Sequence, residues 1–130
     1  MSIPASYPLE YFRNYVDVDV CSPIFEKCNG RQFQAATKLD LCEFFNLRKP
    51  PVEVRILNRQ KMRMCYLINR LYKHALPDNI DVKCSWLEQI LAACGIDRKY
   101  YDSHYNDVMS KSYQGENKEF YELVKSIIGG

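Results

Sequence analysis

Eight cations gather in one stretch of this 130-residue chain: Arg48, Lys49, Arg55, Arg59, Lys61, Arg63, Arg70 and Lys73, accompanied by a single acid, Glu53. Eight basic groups against one acid give residues 48 to 73 a formal charge of +7. Four against six give residues 1 to 47 a charge of −2, and six against nine give residues 74 to 130 a charge of −3. The net +2 therefore conceals a local positive field of the kind that attracts polyanions. Arginine's planar fork matches phosphate oxygens in pairs, and a tyrosine set among arginines adds a hydroxyl or a stacking surface. On a helical wheel Arg59, Arg63, Tyr66, Arg70 and Lys73 fall on one stripe, opposite Met64, Leu67, Ile68, Leu71 and Ala75. The pattern predicts an outward basic stripe that follows the phosphates of double-stranded DNA, with Arg48, Lys49 and Arg55 setting its position. The competing explanation is an ordinary solvated face, although such faces normally mix both signs.

Other residues offer less chemistry. Six cysteines (Cys21, Cys28, Cys42, Cys65, Cys84, Cys94) include no C-x2-C pair and sit mostly in apolar-periodic segments, which fits reduced, buried thiols better than a disulfide framework. A zinc site could be drawn through Cys21, Cys28 and either His74 or His104, but no finger or ribbon spacing repeats. No phosphate-binding glycine loop, G-x-S-x-G or H-E-x-x-H occurs, so the expectation is a protein that is not an enzyme and carries neither cofactor nor metal. A helix, the Gly95-Ile96 turn and a helix with Arg98, Lys99, Tyr100 and His104 resemble a helix-turn-helix, although two core helices joined by a glycine cap explain the same pattern. Ten tyrosines, several between residues 100 and 113, suggest an alternative partner, a host protein bound through a tyrosine-rich surface. The Gly129-Gly130 end reads as a frayed helix terminus.

These residues need a frame to hold them. With 47% hydrophobic and 26% charged residues, the chain has the composition of one globular domain over residues 1 to 130. It has no apolar run long enough to span a membrane and no signal-like start, so we expect an intracellular, membrane-free protein. A short helix is predicted over residues 9 to 15. Val16-Asp17-Val18-Asp19-Val20 alternates like a half-buried strand, Ser22-Pro23 should end it, and Asn29-Gly30 should turn the chain into a second strand over residues 32 to 36. Thr37 or Asp40 should start a helix that stops at Pro50-Pro51, residues 52 to 57 fit either a strand or a helix start, and a long amphipathic helix should run from Asn58 to Leu76. Ser85-Trp86-Leu87-Glu88 reads as a capping box for a helix over residues 86 to 94, Asp97 caps another reaching Met109, and a last helix covers about residues 117 to 128. The expected class is α+β, with a small N-terminal β-sheet or hairpin in a β-rich subregion, residues 1 to 36, followed by a helical bundle over residues 37 to 130.

Residues 40 to 55, Asp-Leu-Cys-Glu-Phe-Phe-Asn-Leu-Arg-Lys-Pro-Pro-Val-Glu-Val-Arg, resemble the core D-V-C-E-x-L-G-x-x-N-P-x-x-A-V-R of the Bro-N family, and more loosely of the KilA-N family. These are DNA-binding modules of large insect DNA viruses and phages. Asp40, Cys42, Glu43, Pro50, Val54 and Arg55 coincide, while Asn46 stands for the usual glycine and Lys49 for the usual asparagine. The resemblance, which covers residues 33 to 55, implies a helix entered at Asp40, a tight turn and a basic helix presented to DNA. It further implies a viral protein that acts on transcription or replication in the host nucleus or cytoplasm.

Overall fold

The computed structural model describes residues 15–48, 52–110 and 114–129. The helix expected over residues 9 to 15 falls almost wholly outside them, as do Lys49, Pro50 and Pro51. Along the chain come α1 (Val18–Cys28), β1 (Phe33–Gln34), α2 (Lys38–Phe45), β2 (Arg55–Ile56), α3 (Lys61–His74), α4 (Ile80–Cys94), α5 (Arg98–His104), α6 (Asp107–Ser110) and α7 (Gly115–Ile128). The architecture is a helical bundle with one small antiparallel sheet.

The valine–aspartate alternation belongs to a helix start, not to a strand. The Asp17 carboxylate caps α1 by accepting the Asp19 N–H at 3.0 Å, and Asp19 sits in the first turn, where a negative charge suits the helix dipole. Val18 is 59% exposed while Val16 is fully buried, so the valines share no face. The buried stripe is Cys21, Ile24 and Cys28, at helical spacing. Pro23 lies within α1 without ending it; the carbonyl it leaves without an intrahelical donor belongs to exposed Asp19, where water can take the bond.

The sheet also forms elsewhere than expected. Gly30 turns the chain at φ +81°, as Asn29-Gly30 predicts, and the Asn29 side-chain oxygen accepts the Ala35 N–H at 2.7 Å. β1 then pairs not with residues 16 to 20 but with β2, Phe33 opposite Ile56 and Gln34 opposite Arg55. The Leu57 N–H extends the ladder to the Gln32 carbonyl at 3.0 Å. Residues 1 to 36 are therefore no β-rich unit where described: they supply α1 and one strand, and residues 55 and 56 supply the other.

Local capping signals set most helix ends. The Thr37 hydroxyl accepts the Asp40 N–H at 3.1 Å, so α2 begins at Lys38 with Asp40 inside its first turn, and it ends at Phe45, well before the prolines. Asn79 caps α4 through Asp81 and Val82, six residues earlier than the Ser85 box; Ser85 lies mid-helix and bonds the Gln89 amide at 3.0 Å. Gly95 ends α4 at φ +68°, and the Ile96 N–H reaches back to the Leu91 carbonyl at 2.9 Å. Asp97 caps α5 as expected, but that helix stops at His104, and α6 follows as a separate turn.

The core is built around α3. Residues 64 to 69 are buried without interruption, and only Lys61, Lys73 and His74, at the two ends of α3, are exposed. α3 begins at Lys61 rather than Asn58, because Arg59 takes a left-handed backbone at φ +65° that no helix interior tolerates. Among the described residues no helix is long and apolar enough to cross a membrane.

Candidate nucleic-acid interface

The predicted outward stripe on α3 is an internal seam. Tyr66 is 1% exposed, its ring 6.3 Å from Phe120 and 6.0 Å from Tyr121 of α7. Arg63 donates from Nε to Asn117 Oδ1 and from Nη1 to Gln60 Oε1, both at 2.9 Å, and its Nη2 lies 3.3 Å from Glu116. These groups fasten α7 to α3 and leave the candidate interface. The wheel misled because it presumes one covered side; here the apolar side meets the core while α5, α6 and α7 close over the polar side.

The other sequence-predicted cations are dispersed. Arg55 is exposed on β2 opposite Gln34, Arg59 is exposed in the turn before α3, and Arg48 is half-buried just past α2. The basic helix that should follow a tight turn after α2 is separated from it by β2. Lys73 lies at the far end of α3, and Arg70 is half-buried between the two ends.

What the structure does bring together is a set of cations over tyrosine rings. Lys61 Nζ lies 4.4 Å from the centroid of Tyr100, Lys73 Nζ 5.8 Å from Tyr105, Lys83 Nζ 5.6 Å from Tyr72, and Arg98 Cζ 5.9 Å from Tyr101. Tyr101 stacks on Tyr105 at 5.4 Å, and the Tyr100 and His104 rings lie tilted at 4.3 Å, so α5 forms an aromatic layer on α3 with cations at its margins. A ring attracts a cation through its quadrupole but carries no net charge, so each cation keeps its full field. Among these four only Arg98 has a carboxylate partner, Asp102 at 3.0 Å; Lys61, Lys73 and Lys83 have none among the described residues.

Of these residues, the DNA-contacting set expected from sequence holds Lys73 but not Lys61, Lys83, Tyr100 or Tyr105. The available signal was the clustering of tyrosines after residue 100 together with the lysines at both ends of α3. Elsewhere a cleft of about 570 Å³ has Lys27 and Arg31 against Glu116 and Glu119, so opposite charges cancel across it and it does not extend the positive face.

The helix-turn-helix reading loses its reading helix. Tyr101 of α5 is 3% exposed, and its hydroxyl accepts from Asn69 Nδ2 at 3.0 Å, so α5 is laid onto α3 rather than projected from it. His104 Nδ1 lies 2.6 Å from Asp107 Oδ2, and no group of three metal-ligating side chains converges among the described residues.

All six cysteines are free thiols. Burial pushes Cys28, Cys65 and Cys94 up to about 12, and burial beside the Cys42 thiol raises Cys21 further. Relative to an ordinary thiol, a shift to about 12 lowers the reactive thiolate fraction by about a thousandfold. With Ellman's reagent at pH 8, exposed Cys84 should react promptly, while Cys21, Cys28, Cys65 and Cys94 should react only after urea is added. Prompt labelling of Cys28 or Cys65 would contradict their burial.

Compared with protein-family models, curated proteins and solved structures, the chain matches none.

Proposed function

We propose that this domain is a non-enzymatic nucleic-acid binder that seats the phosphates of duplex DNA on the lysine–tyrosine face of α3, α4 and α5. The supporting observation is that Lys61, Lys73 and Lys83 are held over tyrosine rings and paired with no carboxylate among the described residues. Held cations lose less side-chain freedom on binding than free ones, and they keep the charge that releases counterions from DNA. Lys61 and Lys73 stand at opposite ends of α3, about 18 Å apart at about 1.5 Å per residue, which is the rise of about five base pairs. Because the Tyr100 and Tyr105 rings are half-buried, each with a cation and another ring beside it, their role in this reading is to position cations and not to stack on bases.

The likeness of residues 33 to 55 to Bro-N modules points to the same partner, and with it to a viral protein acting in a host nucleus or cytoplasm. The alternative partner, a host protein on a tyrosine-rich surface, gains little support: Tyr15, Tyr66, Tyr72, Tyr100, Tyr101, Tyr105 and Tyr121 are all buried or half-buried.

Affinity for a short duplex, measured by fluorescence anisotropy from 50 to 200 mM salt, tests the reading. We expect log K to fall linearly with log salt at about 0.9 per phosphate contacted. The triple variant Lys61→Gln, Lys73→Gln and Lys83→Gln should shallow that slope by about 2 to 3. A flat wild-type slope, or a triple variant with the wild-type slope, refutes the assignment.

A further inference from the structure

We propose that Arg70 and Lys73 form the seat of one phosphate group, a monoester or a diester; this deepens the polyanion reading, on which it rests for the role of Lys73. Arg70 is half-buried, and no carboxylate of the described residues lies within 4.0 Å of its guanidinium. Its Nε is buried and has no hydrogen-bond acceptor among the described residues. Nη2 donates to Asn69 Oδ1 at 2.9 Å, and Cζ lies 5.3 Å from the centroid of the buried Tyr66 ring. Asn69 is itself fixed by donating to the Tyr101 hydroxyl at 3.0 Å. The guanidinium is thus aimed by one amide and one ring, and Nη1, neither bonded nor among the buried unpartnered atoms, is the edge left toward solvent.

A guanidinium stripped of part of its hydration without a counterion is costly, and an unmatched N–H adds to the cost. An anion bound at the open Nη1 edge supplies the missing countercharge, the larger of the two deficits, while Nε stays closed to solvent. Lys73 lies one helical turn farther along the same side of α3, with its ammonium parked over Tyr105 and unpaired with any described carboxylate. A fork and an ammonium one turn apart suit a phosphate, whose several oxygens can meet both, better than a carboxylate with two.

The test uses inorganic phosphate as probe, followed by ³¹P line broadening and by thermal unfolding against chloride of equal ionic strength. Phosphate should raise the wild-type Tm and should bind Arg70→Gln at least about tenfold more weakly, with Lys73→Gln weakened by about three- to tenfold. In phosphate-free buffer Arg70→Gln should hold or raise the Tm, because it removes an uncompensated charge, whereas a purely structural arginine would lower it. Should Arg70→Gln not fold, Arg70→Lys keeps the charge without the fork and should still weaken phosphate binding. Equal phosphate shifts in wild type and variant, or acetate acting as well as phosphate, would overturn the proposal. Duplex DNA supplies the second arm. Phosphate binding that needs Arg70, without salt-dependent DNA binding, supports the seat for a small phosphorylated ligand and removes the polyanion reading. DNA binding that depends on Lys61 and Lys83, with phosphate binding indifferent to Arg70, leaves that reading standing and removes the seat.

Discussion

Replacing Trp86 by alanine should cost about 3–5 kcal/mol, a large share of the about 5–15 kcal/mol that holds a domain of this size together. Trp86 is fully buried on α4, and its Nε1 donates to the Phe45 carbonyl at 2.7 Å. That carbonyl belongs to the last turn of α2, where backbone oxygens have no intrahelical donor, so the indole fills the core and caps a neighbouring helix at once. Trp86→Phe separates the two roles. It keeps most of the apolar area but strands the carbonyl and leaves a void, and about 1–3 kcal/mol should go. Urea titration followed by far-UV circular dichroism measures both variants, since Trp86 is the chain's single tryptophan and its fluorescence disappears with it. A loss below about 1 kcal/mol for the alanine variant would mean that α4 does not carry the core.

Asn46 carries the second large effect. Its Oδ1 accepts the N–H groups of Tyr15 and Val16 at 2.6 and 2.9 Å, and its Nδ2 donates to the carbonyls of Val16 and Cys42 at 2.9 and 2.8 Å. One amide, 6% exposed, therefore satisfies the backbone that enters α1 and a carbonyl of α2. Asn46→Ala leaves those groups buried without partners at about 1–3 kcal/mol each, so a total loss of about 3 kcal/mol or more is expected. Asn46→Asp should behave differently with pH. Burial and the two carbonyl oxygens that its carboxylate would face outweigh the two N–H groups donated to the other oxygen, raising the folded-state pKa above the unfolded value near about 3.9. Such a variant is most stable below that value and loses stability as pH rises, so its urea midpoint should be higher at pH 4 than at pH 7 after correction for the wild type. An Asn46→Asp midpoint that tracks the wild type at both pH values would show that the amide donor is dispensable.

The chain announces its local devices and conceals its distant ones. Thr37, Asp97, Gly95 and the Asn29-Gly30 turn act within a few residues of themselves, and each was legible. Asp17 and Asp19 misled, because a cap followed by a first-turn acid among valines has the same alternation as a strand. Ser85-x-x-Glu88 misled for a related reason: it satisfies a local rule inside a helix that Asn79 had already started. On α3 the apolar side was readable from spacing, but the covering of its polar side depends on Asn117, Glu116 and Phe120, about fifty residues away. No periodicity records such partners. The interface suffered accordingly. Arg63 and Tyr66 looked like the best ligands of phosphate because they are an arginine and a tyrosine on a polar stripe, and the same polar tips suit them to a packed seam. Lys61, at the rim of that helix, is held over Tyr100 with no carboxylate partner among the described residues, and the proposed function rests on such charges.

The position of α3, midway along the chain and ahead of the four helices that pack on it, also bears on how the protein is made. When a ribosome has released residues up to His74, none of the helices that pack most closely on α3 has yet been made. Tyr66 and the Arg63 guanidinium must wait, exposed, for Asn117 and Phe120 to be synthesised. The nascent chain therefore carries a sticky, half-clothed helix until α7 is made, and its commitment to the native state comes only when α7 emerges.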